Sequence, residues 1–481
     1  MERVVVLSDV HLGSDLNDVV ASVRRSQSID EDLVKLLTHY RVATPPGDRV
    51  RVVFAGDLVD FIGMAVHAPG SEVTTERSRE ERAHGLGNAA DHACLKLRMV
   101  VRRHGDVFDA LADLVVGGHA IDIVHGNHDM EFHWDAVKDE LRSTLLERAN
   151  ARHEQRDTRD AASFLGRIGF HPWFLYMPAV AYIEHGHQYD PFCASDCMLA
   201  PLAPGDPRRI TRSVSAVLLR YVVRTTRGMR EYGHETNGVA HYLVFGARLG
   251  LRGLLRLGAS FASAVVELFR LRREHLSAAA GAHVEEHERR MRSLAETTAI
   301  GVDRMRALAA LQIAPASHSI RGILASVLLD RVALGLATLL ALIAVAVVAL
   351  AHGGRVWMAA PCLVAVWACV HHHLTGQRHA DPESQMLERA SRLGKLFPAV
   401  FVVMGHTHVP ARVTLNEGST TYINVGSWAE EEPDVAGGKM FRAARTHLVI
   451  RPGENGPVAE FLAWGSDGPR PWGRPSKDES R

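Results

Sequence analysis

Cysteine is scarce in this chain. Five occur in 481 residues (Cys94, Cys193, Cys197, Cys362 and Cys369), scattered and without a C-x-x-C pair. That argues against a disulfide framework, and an odd, dispersed set fits a reducing compartment. Net charge is lacking too, since 55 basic residues balance 55 acidic ones. No global field favours nucleic acid, and no nucleic-acid partner is expected. The chain opens MERVVVLSDVHLG, where a strand follows almost at once, so no cleavable signal peptide is expected. Long uncharged apolar runs are confined to one region between residues 332 and 370.

What the chain does have is length, and two kinds of local pattern. At 481 residues it exceeds one typical domain, so two domains, or one with a large insertion, are expected. RVVVLSD (3–9) and VRVVFAGD (50–57) are short valine-rich runs that each end at an aspartate. IDIVHGNHD (121–129) and VAYIEHGH (180–187) repeat the pattern with histidine and asparagine. Helical periods such as EDLVKLLTHY (31–40) and DAVKDELRSTLLERA (135–149) lie between them. Buried strands separated by helices indicate an α/β layered domain over 1–190. The pattern returns over 397–465, beginning at AVFVVMGHTH (399–408). The segment 466–481, rich in Pro, Gly and charge, reads as a disordered tail.

Between 191 and 396 helical, Ala/Leu/Arg-rich sequence dominates, which reads as a helical insertion. Within 205–275 there are 13 arginines, no lysine and 5 acids. Arg248, Arg252 and Arg256 recur at helical spacing beside Leu249, Leu254 and Phe261, which suits either a solvated helix face or an anionic membrane surface. VALGLATLLALIAVAVVALA (332–351) has 20 positions without a charge, the length a membrane crossing needs. VWMAAPCLVAVWACV (356–370) adds fifteen more, short for a span unless HHHL (371–374) extends it. An apolar hairpin over 332–370 is expected, either membrane-inserted or buried in a helical domain. Arg321 and Arg331 precede it and Arg378, Arg389, Arg392 and Lys395 follow, against Arg355 alone in the loop. That bias predicts both flanks, and the α/β part they join, on the cytoplasmic side.

The chemistry sits at the strand ends. In order they read D-x-H (Asp9, His11), G-D-x-x-D (Asp57, Asp60), G-N-H-D (Asn127, His128, Asp129), H-G-H (His185, His187, then Asp190) and G-H-T-H (His406, His408). Each is weak alone. Five in this order, each closing a strand, are hard to obtain by chance. Carboxylate, amide and imidazole donors suit Mn²⁺, Fe²⁺ or Zn²⁺, and the lack of thiolate disfavours a structural zinc knot. A carboxylate-bridged metal pair about 3.5–4 Å apart activates water and clamps a phosphoryl group. If the strand geometry extends through G-H-T-H, the i, i+2 spacing points both imidazoles to one face. HVEEH (283–287) also matches an inverted zinc-protease pattern, but its charge-dense setting reads as a solvated helix.

These five motifs resemble those of the calcineurin-like metallophosphoesterases, over about 1–190 and 397–465. The resemblance implies a two-sheet β-sandwich flanked by helices and two divalent ions, Mn²⁺ first among the candidates. It implies one ion held by Asp9, His11, Asp57 and His408, and a second by Asp57, Asn127, His185 and His406, with Asp57 bridging. His128 would assist the leaving group, and Asp129 resembles the acid that orients it. His185 takes the family's position, with His187 the alternative ligand; Asp60 reads as an outer or loop-fixing group. Asn424 and Ser427 resemble a structural turn. Within the class the motifs are nearest to UDP-2,3-diacylglucosamine hydrolase-like enzymes, which act on a membrane-bound lipid. A phosphate-containing substrate at a membrane, lipid-linked as in those enzymes, is thus expected. Two departures leave the substrate open: His128 stands where those enzymes typically carry arginine, and the insertion of about 200 residues is far larger than theirs.

Overall fold

Valine-rich runs cannot satisfy their backbone polar groups alone, and in the computed structural model of the protein they do so in two sheets. Residues 1–16, 28–67, 72–153, 161–226, 239–352, 354–378, 382–429 and 444–473 are described. The strands are β1 (Glu2–Leu7), β2 (Arg49–Ala55), β3 (Ala120–Val124), β4 (Ile168–His171), β5 (Phe174–Met177), β6 (Ala181–Glu184), β7 (Leu202–Ala203) and β8 (Asp206–Ile210). After the helical segment come β9 (Phe401–Met404), β10 (Ala411–Leu415), β11 (Thr420–Asn424), β12 (Thr446–Gly453), β13 (Gly456–Gly465) and β14 (Gly468–Pro471).

The chain is mixed α/β. One sheet has seven strands in the order β14-β13-β12-β1-β2-β3-β4, and the second has five, β10-β11-β9-β6-β5. β1, β2, β3 and β4 run parallel, so the loops carrying Asp9, Asp57 and Asn127 leave the same edge. β6 and β9 are parallel neighbours, with Ala181 opposite Phe401, although residues 185–400 lie between them. The chain therefore returns from its long helical segment into the strand position it left.

Period-two alternation explains how the layers bury. Val5, Leu7, Val52, Phe54 and Ile121 belong to a core that includes Leu33, Leu37 and Tyr40 of α1 (Ser28–Val42). The same core takes in α2 (Ala90–Arg103), α3 (Gly105–Val116) and α4 (Asp135–Arg152). Their strand neighbours Val4, Val6, Val53 and Ala55 face the other way, into a cluster with Ile183, Val403 and Ile423 of the five-stranded sheet. That sheet's opposite face, Tyr182, Val402 and Met404, packs on the helical segment. Each fully buried Val or Leu contributes about 1.5–3 kcal/mol of transfer free energy.

The helical segment contains α5 (Val239–His275), α6 (Ala278–Thr297), α7 (Leu329–His352), α8 (Ala359–Arg378) and α9 (Pro382–Leu396). Met291 of α6 and Leu393 of α9 supply the second sheet's outer cover, together with Phe397. α7 and α8 are long and apolar enough to cross a membrane: the windows are Leu329–Ala351 and Val356–Leu374, with only 6% and 0% buried. That exposure does not fit a hairpin buried in a helical domain. The second window takes in His371–His373, the extension that makes it long enough. Arg331 at the base of α7 donates to the Leu374 carbonyl (3.3 Å), joining the two open ends.

Two expectations need correction. Residues 468–471 are a strand, not a disordered tail: Gly465 pairs with Gly468 and Trp464 with Pro469. β14 is an edge strand, the one place where Pro469 and Pro471 forfeit no ladder hydrogen bond. The remainder of that tail, 474–481, lies outside the described residues. In the insertion, β7 and β8 form a small antiparallel hairpin amid the helices.

Candidate metal centre

The centre forms where the five motif loops meet. Asp9 and His11 follow β1, Asp57 and Asp60 follow β2, and Asn127, His128 and Asp129 follow β3. His185 follows β6, and His406 and His408 follow β9. Five of these, Asp9, His11, Asp57, His406 and His408, have φ between 52° and 69°, a region that costs most side chains energy. The strand ahead of G-H-T-H ends at Met404, so the premise of continued strand geometry fails. Two left-handed turns, not pleat alternation, set the direction of His406 and His408. Glycine before the ligands has a steric cause. A methyl on Gly126 would overlap Asp57 Oδ1, and one on Gly56 (φ 93°) would overlap the His185 ring.

Asp57 is central and buried. Its Oδ1 accepts the His128 backbone N–H (2.8 Å), while Oδ2 lies 3.2 Å from His185 Nε2 and 3.7 Å from His11 Nε2. On one side, Asp9, His11 and His408 bring donor atoms within 4.8 Å of one another, with His408 Nε2 3.1 Å from Asp9 Oδ1. On the other, His185 Nε2 lies 3.1 Å from Asn127 Oδ1. His185 Nδ1 donates to the Ala55 carbonyl (2.9 Å), which turns Nε2 toward the carboxylates. His406 stands at the margin: its Nε2 pairs with Asp190 Oδ2 (3.1 Å) and its ring centre is 5.2 Å from that of His185. That leaves Nδ1 as the nitrogen available for a ligand role.

The electrostatics call for a cation. Burial works to lower the basicity of His185, yet Asp57 and Asp9 raise its pKa from 6.5 to about 10. Burial likewise opposes charge on Asp57, but His185 and His128 hold its carboxyl well below the usual range. The carboxylates thus hold a positive charge on His185 Nε2, where a divalent ion would compete with the proton. Several His/Asp groups here, Asp9–His11–His408, His11–Asp57–His128 and Asp9–Asp57–His185, can hold a metal ion. The donor set, oxygen and imidazole without thiolate, suits Mn²⁺, Fe²⁺ or Zn²⁺.

The acid beside His128 is Asp60, not Asp129. Asp60 Oδ1 accepts from His128 Nδ1 (2.7 Å), and both groups are buried. Asp129 instead accepts the Gly126 N–H (2.6 Å) and the Leu58 N–H (2.8 Å), tying the β3 loop to the β2 loop. An H-D dipeptide points its side chains apart in this turn; the second Asp of G-D-x-x-D was the signal for the true partner. Asn424 donates to the Gly405 carbonyl (2.7 Å) and Ser427 to the Asp9 carbonyl (3.1 Å), so both brace ligand loops. His187 is buried beside His185, with ring centres 5.4 Å apart, and neither of its nitrogens has a hydrogen-bond partner among the described residues. In HVEEH, His287 accepts from Leu199 N–H (3.2 Å) and packs on Trp173, a structural role. No protein-family model matches the chain, and no curated protein matches it.

Proposed function

We propose that the protein is a membrane-associated, dinuclear-metal phosphoesterase of the calcineurin-like class. The two sheets are read as a β-sandwich flanked by helices. Residues 1–190 and 397 through β14 are the catalytic domain, and 191–396 the insertion. The observation that carries the reading is the convergence on Asp57 of His11, His128 and His185, with Asn127 against His185 and Asp9 and His408 alongside, from five separate loops. The ligand assignment remains Asp9, His11, Asp57 and His408 for one ion and Asp57, Asn127, His185 and His406 for the other.

When bound, two divalent ions, Mn²⁺ foremost, would neutralise phosphoryl charge and make water a nucleophile near neutral pH. The chain's own contribution is proton handling and orientation. With Nδ1–H engaged by Asp60, the His128 ring is held in one orientation from which it would deliver a proton to the leaving oxygen. The buried Asp60 carboxylate stabilises the imidazolium and fixes the ring. Asn127 and His187 line a cavity of about 60 Å³ together with Lys96, Arg212 and Arg220, of which Arg212 and Arg220 are already paired with Glu80. α7 and α8 would anchor the enzyme with its active centre on the cytoplasmic side, within reach of a lipid-linked phosphate.

Hydrolysis of bis-p-nitrophenyl phosphate by the purified chain with added Mn²⁺ tests the reading. Turnover that disappears in Asp57→Ala and falls steeply in His128→Ala is expected. No turnover in wild type, or turnover indifferent to both changes, contradicts it. A phospholipid and nucleotide panel then separates lipid-linked from soluble substrates.

A further inference from the structure

Outside the centre just described, a second group of ligand-type side chains converges in the helical segment. Asp196 lies in the loop six residues beyond Asp190, His275 is the last residue of α5, and His318 ends the short turn Ala316–His318. One carboxylate oxygen serves both imidazoles: Asp196 Oδ2 is 2.7 Å from His318 Nε2 and 3.2 Å from His275 Nδ1. The two rings stack with centres 3.5 Å apart and planes 17° from parallel. Donor atoms of all three lie within 4.8 Å of one another. These residues line a cavity of about 250 Å³, into which Glu274 and His283 also face.

From these contacts we infer a third, mononuclear metal site, held by Asp196, His275 and His318 and selective for a borderline divalent cation such as Zn²⁺. Two imidazoles and one carboxylate with room for water are a recurrent set for Zn²⁺ and for non-haem Fe²⁺. Bonds of about 2.0–2.1 Å place tetrahedral donors about 3.3 Å apart, inside the spread of these three atoms. The cavity supplies an entry path and space for the remaining ligands. The ion would tie three segments: the loop leaving the H-G-H motif, the end of α5, and the turn that leads through Ile320–Ser326 into the apolar hairpin. It shares no ligand with the Asp57 centre.

Metal counting after equilibrium dialysis of the full detergent-solubilised chain against Zn²⁺ tests this. Three ions per chain are expected in wild type and two in His275→Ala/His318→Ala, with Mn²⁺-supported bis-p-nitrophenyl phosphate hydrolysis retained. Asp57→Ala/His185→Ala should keep one ion, which the additional His275→Ala/His318→Ala changes remove. Asp196→Asn preserves side-chain shape, so its folding is secure; it should weaken Zn²⁺ binding by more than about tenfold. An ion count unchanged by His275→Ala/His318→Ala, or unweakened binding in Asp196→Asn, overturns the site. Should the Asp57 centre bind nothing, wild type would hold one ion and the double variant none, so the two readings fail separately.

Discussion

Replacing Asp60 by Asn separates the two acids that compete for a role beside His128. The change is nearly isosteric, and the amide oxygen can still accept from the Gly63 N–H and from His128 Nδ1. What disappears is the negative charge at 2.7 Å from the imidazole in a fully buried setting. A hydrogen bond to a charged group exceeds the retained neutral one by about 1–1.5 kcal/mol. With that difference expressed when His128 becomes cationic in the transition state, kcat falls by about 5- to 13-fold. KM and bound metal should change little, because Asp60 is not among the assigned ligands. Asp129→Asn should behave differently. Its side chain accepts two buried backbone N–H groups, and an amide oxygen cannot readily serve both. The loss is about 1–3 kcal/mol of stability, with turnover per folded, metal-loaded molecule nearly intact. The assay is kcat on bis-p-nitrophenyl phosphate at saturating Mn²⁺, read with metal content and thermal midpoint. Unchanged kcat in Asp60→Asn, or the larger kcat loss in a stable, fully loaded Asp129→Asn, refutes the assignment.

Three other outcomes follow from particular contacts. Gly126→Ala places a methyl against Asp57 Oδ1, so metal retention and turnover should both collapse while far-UV dichroism stays near wild type; full metal content would show the loop has slack. Glu80 joins the Arg79–His84 helix to Arg212 (2.9 Å) and Arg220 in the insertion. Burial works to raise its pKa, but Arg212 and Arg220 pull it from 4.5 to about 2. Since the folded-state value is depressed, its stabilisation is complete above about pH 4.5 and lost as pH falls toward 2. Glu80→Gln should cost about 3 kcal/mol near neutral pH and flatten that acid limb, measured as thermal midpoint against pH. Finally, with Leu329–Ala351 and Val356–Leu374 inserted as proposed, the chain should sediment with membranes and resist carbonate extraction. Full recovery in the soluble fraction without detergent would falsify membrane insertion.

Much of the centre was legible because its chemistry is confined to strand ends. A valine-rich run closing on Asp, Asn or His marks both the strand and the loop that leaves it, so Asp9, Asp57, Asn127 and His185 stood among the candidates, while their ligand roles came from the family resemblance. The pairing of Asp60 with His128 was not readable from order alone, since it depends on how the β2 and β3 loops cross. The family resemblance pointed to Asp129, whose side chain turns back onto Gly126 and Leu58. β14 was missed because Pro469 and Pro471 signal irregular chain, a rule that lapses at a sheet edge. The Asp196–His275–His318 cluster has no local signature, its members being separated by 79 and 43 positions (275 − 196 and 318 − 275) and brought together by helix packing.

The central claim is that Asp57 sits between two ions that carry out phosphoester hydrolysis. The most direct measurement is Mn²⁺ stoichiometry in wild type and Asp57→Ala, taken on the same samples as bis-p-nitrophenyl phosphate turnover. The account predicts two Mn²⁺ per chain bound through the wild-type centre, with both occupancy and turnover lost together in the variant. Two ions retained in a folded Asp57→Ala chain, or wild-type turnover without bound metal, would contradict it.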